Sequence, residues 1–526
     1  MGISTAHSTA SRGLGAAPRL LRGVRFLVLA CVLAGLAGCM ALPLPELKPD
    51  TPVAWQHAPP TTANAPAPDL RSWWKAFNDP QLDRLIDRAL ADNLTVRQAA
   101  LHLKGARSLA RVTNAEFLPQ LSAHTLSEPT PDSAASYFQL GFDAQWELGF
   151  FGRAQSHARV TSADLGIAQS DIEAARVSVV AEVARVYVEL RSAQQRLGLL
   201  EQLVAAGGDK VTLTATRERL RLASANDLAR TQVEHASAQA ALYEPRLAIE
   251  RCRQQLAVLL GQSEPDATLI ADGSQPHLGD LRIASAPADL LRTRPEIRRA
   301  ENDVLKAAGA LGLARSDLYP RLGLGGSLTY ASKVIGHSRL SDADGIVTFG
   351  PAIEIPLFDW GTRRAIVDAR DADLSASVLA YRQAVLEGVA ESEIAMAALE
   401  QQRERAAALG RSLASLERGD AATTTLGRLG LADGFDRAAS SAALTQARLE
   451  ISQAEQARNI AFITLYKALG GAPLPADEPL SARRPNEVPV EESSERSATP
   501  VAPGSSLTLT RSYGPSPRKG KEEESR

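Results

Sequence analysis

The side chains that most often do chemistry are scattered in this chain. His102, His124, His157, His235, His277 and His337 stand far apart, and no CxxC or Cys/His spacing suited to a metal occurs. No GxSxG nucleophile turn, HExxH zinc helix or phosphate-binding glycine loop is present. Each histidine therefore reads as an ordinary surface side chain. Met1, Met40 and Met396 are too few to relay soft metal ions. One residue has a context that specifies chemistry. Cys39 follows Leu36-Ala37-Gly38 at the end of an apolar run, with small residues directly before it.

That run, Phe26 to Leu36, is preceded by Arg19, Arg22 and Arg25. It is too short to span a bilayer as a helix and reads as the core of a secretory signal. Leu36-Ala37-Gly38-Cys39 resembles the lipobox of bacterial lipoproteins. Residues 1–38 are then a signal peptide and Cys39 carries covalent lipid, the one non-protein group expected. Acyl chains would hold the mature N-terminus at a membrane. Met40, in place of an aspartate, favours delivery to the outer membrane under the sorting rule that the resemblance implies. Cys31 leaves with the signal and Cys252 remains alone, so no intrachain disulfide is expected.

The formal net charge of −2 gives no support for nucleic-acid binding. Aromatic residues make up only 5%, low for one large globular core. Residues 39–69 are rich in Pro, Ala and Thr and read as an extended strap, and the tail 474–526 has the composition of a disordered segment. Between them the pattern is helical. Asp79-Pro80 marks a helix start with Leu82, Leu85, Ile86 and Leu90 on one face, and a second helix is expected from Thr95 to Phe117. No proline interrupts the chain between Pro131 and Pro245, or between Pro356 and Pro473. Ile172, Ala175, Val179, Val183, Val186 and Leu190 recur at helical spacing. A helix from 153 to 204 would be about 75 Å long. Such helices must lie side by side as coiled-coil-like hairpins. Gly207-Gly208 and Gly419-Asp420 are the expected tips.

The two halves of the chain repeat. Phe117-Leu118-Pro119-Gln120-Leu121 parallels Leu318-Tyr319-Pro320-Arg321-Leu322. Gly152-Arg153, Arg219-Leu220, Asp227 and Leu260-Gly261 parallel Gly361-Thr362, Arg428-Leu429, Asp436 and Leu469-Gly470. Repeat 1 covers 70–270, with strands at 120–127 and 137–148 and a long hairpin over 153–261. Repeat 2 covers 287–471, with a helix at 295–318, strands at 321–331 and 346–357 and a hairpin over 362–470. Gly152 and Gly361 are expected at the strand-to-helix joints, where backbone freedom is needed.

The second strand of each repeat alternates strictly, and the strands before them, at 120–127 and 321–331, alternate more weakly. Leu140, Phe142, Ala144, Trp146 and Leu148 interleave with Gln139, Asp143, Gln145 and Glu147, and Val347, Phe349, Ile353 and Ile355 interleave with Thr348, Gly350, Ala352 and Glu354. One apolar and one polar face fit a soluble sheet or a membrane barrel. Four strands are too few to close a barrel, and an open edge in lipid is prohibitively costly. A membrane sheet therefore requires several copies to share one barrel, and three copies supply twelve strands.

Several ordered motifs resemble the TolC-like outer-membrane efflux proteins, in particular the lipoprotein branch that serves tripartite pumps. They are Trp73-Trp74-Lys75-Ala76-Phe77-Asn78-Asp79-Pro80, Trp146-Glu147-Leu148-Gly149-Phe150-Phe151-Gly152-Arg153, Pro287 through Arg298 (PADLLRTRPEIR), Phe349-Gly350-Pro351, Ile355-Pro356-Leu357-Phe358-Asp359 and Leu465-Tyr466-Lys467-Ala468-Leu469-Gly470-Gly471. The resemblance implies a mixed α/β membrane protein, a homotrimer whose twelve-strand transmembrane barrel continues into a periplasmic α-helical barrel. It implies a periplasmic adaptor and an inner-membrane transporter as partners, small molecules as cargo, and no enzyme activity. It also implies an iris at the far tip, opened by untwisting of the helix pair over 395–430. Asp420, with Arg418 and Glu417 nearby, is the candidate gate, as a repelling carboxylate ring or as ion pairs; the same residues also fit a solvated helix turn. The chain departs from the family's Arg-Tyr-x-x-Gly pattern with Arg428-Leu429-Gly430-Leu431, in the region that meets the adaptor. A protein-secretion outlet is the nearest alternative. A lipid-anchored adaptor would carry one hairpin, and a purely structural coiled coil would need no alternating strands.

Overall fold

The computed structural model describes residues 47, 69–128, 137–271, 273–279, 294–333 and 345–472. The signal segment, Cys39, most of the strap, Pro287 to Thr293 and the tail from 474 lie outside them. A short turn of helix, Trp73–Phe77, leads into α1 (Pro80–Asp92). Pro80 sits at the first helical position, and the Asp79 carboxylate accepts from the Gln81 and Leu82 backbone N–H groups at 2.8 and 3.3 Å. Then come α2 (Leu94–Arg111), strands β1 (Gln120–Glu128) and β2 (Tyr137–Glu147), α3 (Arg153–Arg219), α4 (Ala225–Ala240) and α5 (Tyr243–Leu259). The second half supplies α6 (Pro295–Ser316), β3 (Arg321–Lys333), β4 (Gly345–Glu354), α7 (Thr362–Arg428) and α8 (Gly434–Ala468).

The repeat is visible in the backbone. The long helices α3 and α7 each have 67 residues, about 100 Å at about 1.5 Å per residue. Both begin after a glycine in the left-handed region, Gly152 at φ 78° and Gly361 at φ 82°. A side chain there would press its Cβ against the following carbonyl, so the two glycines let a strand turn sharply into a helix.

The hairpin tips differ from the sequence expectation. Gly207-Gly208 lies inside α3 and Gly419-Asp420 inside α7. Two glycines in a helix cost about 1 kcal/mol each relative to alanine, which packing along a long helix overrides. Gly207 also gives room to His235 of α4, whose Nδ1 would lie 3.1 Å from a Cβ at that position. The chain turns at 220–224 and 429–433 instead. Leu222 N–H donates to the Arg217 carbonyl at 2.8 Å, and Leu431 N–H to the Leu426 carbonyl at 2.9 Å, closing both helix ends in the same way. Ser224 with Asp227 and Asp433 with Asp436 form capping boxes that restart the chain as α4 and α8.

The core lies around the middle of α3. Val183, Val186 and Leu190, on the stripe read from the sequence, are fully buried there, as is Val180 beside them. The N-terminal segment packs onto this stripe through Trp73, Phe77, Leu82 and Ile86, and α8 through Phe462 and Tyr466. Trp73 stacks on Tyr466 with centroids 5.6 Å apart, and its indole N–H donates to the Gly471 carbonyl at 3.0 Å. The start of repeat 1 is thereby pinned to the end of repeat 2. The Tyr187 hydroxyl donates to the Asp79 cap at 2.7 Å, and burial pushes its pKa up to about 12. Arg191, also buried, donates to Gln81 Oε1 and to the Ala271 carbonyl.

The strands form one antiparallel sheet in the order β1-β2-β3-β4. The two repeats meet at its centre, where Phe142 stands opposite Leu328 and Asp143 opposite Ser327. Among the described residues no helix is long and apolar enough to cross a membrane.

Candidate functional site

The register sorts the strands into two faces. On one, Leu121 stands opposite Ala144, Phe142 opposite Leu328, Leu328 opposite Val347, and Leu322 opposite Ile353. This face is apolar and uncovered: Phe349 is 81% exposed and Leu121 76%. The other face carries Gln120, Ser122 and His124 on β1, Asp143, Gln145 and Glu147 on β2, Ser327 on β3, and Thr348 and Glu354 on β4. Ser327 and Thr348 share a hydrogen bond of 2.7 Å across the strands. His124 Nδ1 lies 2.9 Å from Asp143 Oδ2. The sequence reading missed this pair, because register alone brings the two residues together.

Where strands become helices, charges tie the elements. Arg153, the first residue of α3, pairs with Asp317 at 2.7 Å and with Glu147 at 2.9 Å. Asp317 also accepts from Arg321 at 2.8 Å, and His157 pairs with Glu116 at 2.9 Å. Asp359 accepts from the Arg363 and Gly361 backbone N–H groups at 2.9 and 3.1 Å, and the first of these does most to hold its carboxyl below the usual range. On the polar face a recess of about 760 Å³ opens here, lined by Glu116, Glu147, Arg321 and Glu354 over Gly323 and Gly325. Aromatic side chains also gather where strands become helices. Phe358 and Trp360 meet edge to face at 4.8 Å, with Trp360 89% exposed, and Phe151 stacks on Tyr319 at 5.3 Å. Aromatic girdles of this kind mark the lipid–water boundary of membrane barrels.

The predicted gate residues sit on α7, eight residues or more before its end at Arg428, about 12 Å or more from the turn at about 1.5 Å per residue. Asp420 accepts from the Ser440 hydroxyl of α8 at 2.9 Å, Glu417 lies 3.6 Å from Arg448, and Arg418 donates to Ser415 at 3.1 Å. Asp420 and Glu417 therefore tie α7 to α8 within one hairpin. The hairpins meet at the tip through Arg217 of α3, whose guanidinium lies over the Phe435 ring at 4.5 Å and 3.8 Å from Asp433. Neither Arg217 nor Phe435 has a sequence signal, because the contact depends on how the two hairpins pack.

Among the described residues no three His, Cys, Asp or Glu side chains gather as a metal site. Burial pushes the Cys252 thiol up to about 11, so it stays protonated and unreactive at neutral pH. Cys39 lies outside the described residues.

An amphipathic sheet with an aromatic girdle, set on helices about 100 Å long, defines an outer-membrane channel protein with a periplasmic stalk. The family model for outer membrane efflux proteins matches residues 85–262 and 286–471, and the chain belongs to that family. The cation efflux system protein CusC of Escherichia coli is 27% identical over 464 residues, covering 84% of this chain and 97% of that protein. The toluene efflux pump outer membrane protein TtgI of Pseudomonas putida is 30% identical over 329 residues, covering 59% of this chain and 68% of that protein. The open-state structure of the MtrE outer membrane channel of Neisseria gonorrhoeae is 25% identical and superposes with a TM-score of 0.70, covering 83% of this chain and 99% of that one. The protein is an outer-membrane efflux channel extending into the periplasm, and members of its family are the outer-membrane components of tripartite pumps with an adaptor and an inner-membrane transporter.

Proposed function

We propose that three copies of this chain close a twelve-strand transmembrane barrel, and that small molecules pass through it unchanged from the periplasm to the exterior. One observation carries this reading: a four-stranded sheet with an uncovered apolar face and two free edges, β1 and β4. The strands have 9, 11, 13 and 10 residues, and a tilted strand needs about 9–11 to cross the hydrocarbon. Lipid rewards the apolar face and forbids the open edges. Joining β1 of one copy to β4 of the next satisfies both demands, and the polar face then lines the lumen.

Cys39 carries acyl chains that hold the mature N-terminus at the outer membrane. A periplasmic adaptor meets the hairpin tips and links them to an inner-membrane transporter. Asp420, Arg418 and Glu417 form the charged collar of the gate, and the hairpin α7–α8 moves against α3 as it opens. The chain supplies a path and no chemistry. Cations and toluene are named for two relatives, which supports small toxic compounds as cargo here.

Inter-copy cross-linking tests the assembly. Cysteines placed at Ser122 on β1 and Gly350 on β4, treated with a bifunctional thiol reagent in membranes, should give a covalent trimer. Products no larger than a dimer, or none, would sink the closed-barrel reading.

A further inference from the structure

We propose that His124 and Asp143 set the ion selectivity of the barrel, making the lumen more cation-selective as pH rises. This rests on the reading above, in which the polar face points inward. His124 Nδ1 lies 2.9 Å from Asp143 Oδ2, with both side chains partly exposed on that face. The seat for the ring is specific. Gly141 stands directly opposite His124, and a Cβ there would lie 2.4 Å from His124 Cε1. The imidazole therefore lies flat over a residue without a side chain, and this brings it to the diagonal carboxylate two residues on.

Among the described residues the other charges on this face stand apart from the pair. Glu147 is four residues along β2 from Asp143 and engaged by Arg153. Arg321 is engaged by Asp317, and Glu354 stands opposite Arg321 at the same end of the sheet. Four residues of strand span about 13 Å, beyond the screening length of about 8 Å at physiological salt. At the other end, Glu128, Tyr137 and Lys333 hold register positions about as far away. On β4, which closes against β1 in the barrel, Thr348, Gly350 and Ala352 share the face without charge. Among the described residues Asp143 is the charged group in contact with His124.

Imidazole is the side chain that ordinarily changes charge between about pH 5 and about pH 8. With the ring protonated, the pair is neutral. With the ring deprotonated, one bare carboxylate remains per copy and three ring the lumen. Carboxylate rings favour cations.

The test is the reversal potential of open-channel current across a KCl gradient, with the purified full chain in neutral-lipid bilayers. The wild type should show a severalfold rise in K⁺ over Cl⁻ permeability across about pH 5 to about pH 8. His124→Gln should form channels whose ratio is flat over that window. Asp143→Asn should keep a rise but be displaced toward anions throughout. An unchanged rise in His124→Gln would overturn the proposal, as would a flat wild-type ratio. A wild type that forms no conducting channel would instead overturn the barrel reading on which the proposal rests.

Discussion

Replacing Arg217 by alanine removes a contact between the two hairpins at their tips. The guanidinium lies 4.5 Å from the centroid of Phe435, and an exposed cation–π contact contributes about 0.5–1 kcal/mol. The neighbouring ion pair to Asp433, at 3.8 Å with both side chains about half exposed, is screened and adds nothing to the magnitude. If α7–α8 must leave α3 in all three copies for the iris to open, the closed state loses about 1.5–3 kcal/mol. At about 1.4 kcal/mol per decade, the open-to-closed ratio rises roughly tenfold to a hundredfold. Single-channel open probability in planar bilayers reads this directly. Phe435→Ala should reproduce the effect, and the double variant should add little to either, because one contact is lost in all three. Arg217→Lys should fall between, since it keeps the charge and loses the planar group. Unchanged open probability in both single variants, or full additivity in the double, would refute the view that this contact latches the hairpins.

Trp73→Ala removes a buried ring stacked on Tyr466 and should destabilise the helical region by about 3–5 kcal/mol. Trp73→Phe keeps a ring and loses the hydrogen bond to Gly471, so its melting temperature in detergent should fall less. Asp227 and Asp433 are held below the ordinary aspartate range chiefly by the backbone N–H groups of Ser224 and Asp436. A depressed carboxyl stabilises above its unfolded pKa of about 3.9, and that contribution is lost as pH falls through the lower folded value. Exchange protection at 225–228 and 434–437, taken relative to each amide's intrinsic rate at the same pH, should therefore fall below about pH 4, and protection indifferent to acid would count against both caps. Asp420→Ala should lower cation selectivity and loosen α7 from α8; unchanged conductance and selectivity would remove Asp420 from the gate.

Much of the fold was legible because it follows from period and punctuation. Strict alternation marked β2 and β4, the stripe from Ile172 to Leu190 marked the buried face of α3, and Gly152 and Gly361 take positive φ between strand and helix. The tips lie beyond Gly207-Gly208 and Gly419-Asp420 because the caps, not the mid-helix glycines, end these helices. Ser224-x-x-Asp227 and Asp433-x-x-Asp436 were visible as capping boxes, and Gly430 at φ 73° as a helix stop, although Arg221 takes the same place in repeat 1 at φ 60°. The His124–Asp143 and Arg217–Phe435 contacts were not legible. The first needs the register of β1 against β2, and the second the packing of two hairpins, and neither is written in local sequence. Cys39 rests on its sequence context.

The central claim is that four strands per chain become a channel only when three chains share them. The mass of the conducting species in detergent, by native mass spectrometry of the fraction that gives discrete conductance steps, tests it most directly. The account predicts a trimer in that fraction and no conductance from monomer. A conducting monomer, or a stable trimer silent even when Arg217→Ala has loosened the tip, would contradict it.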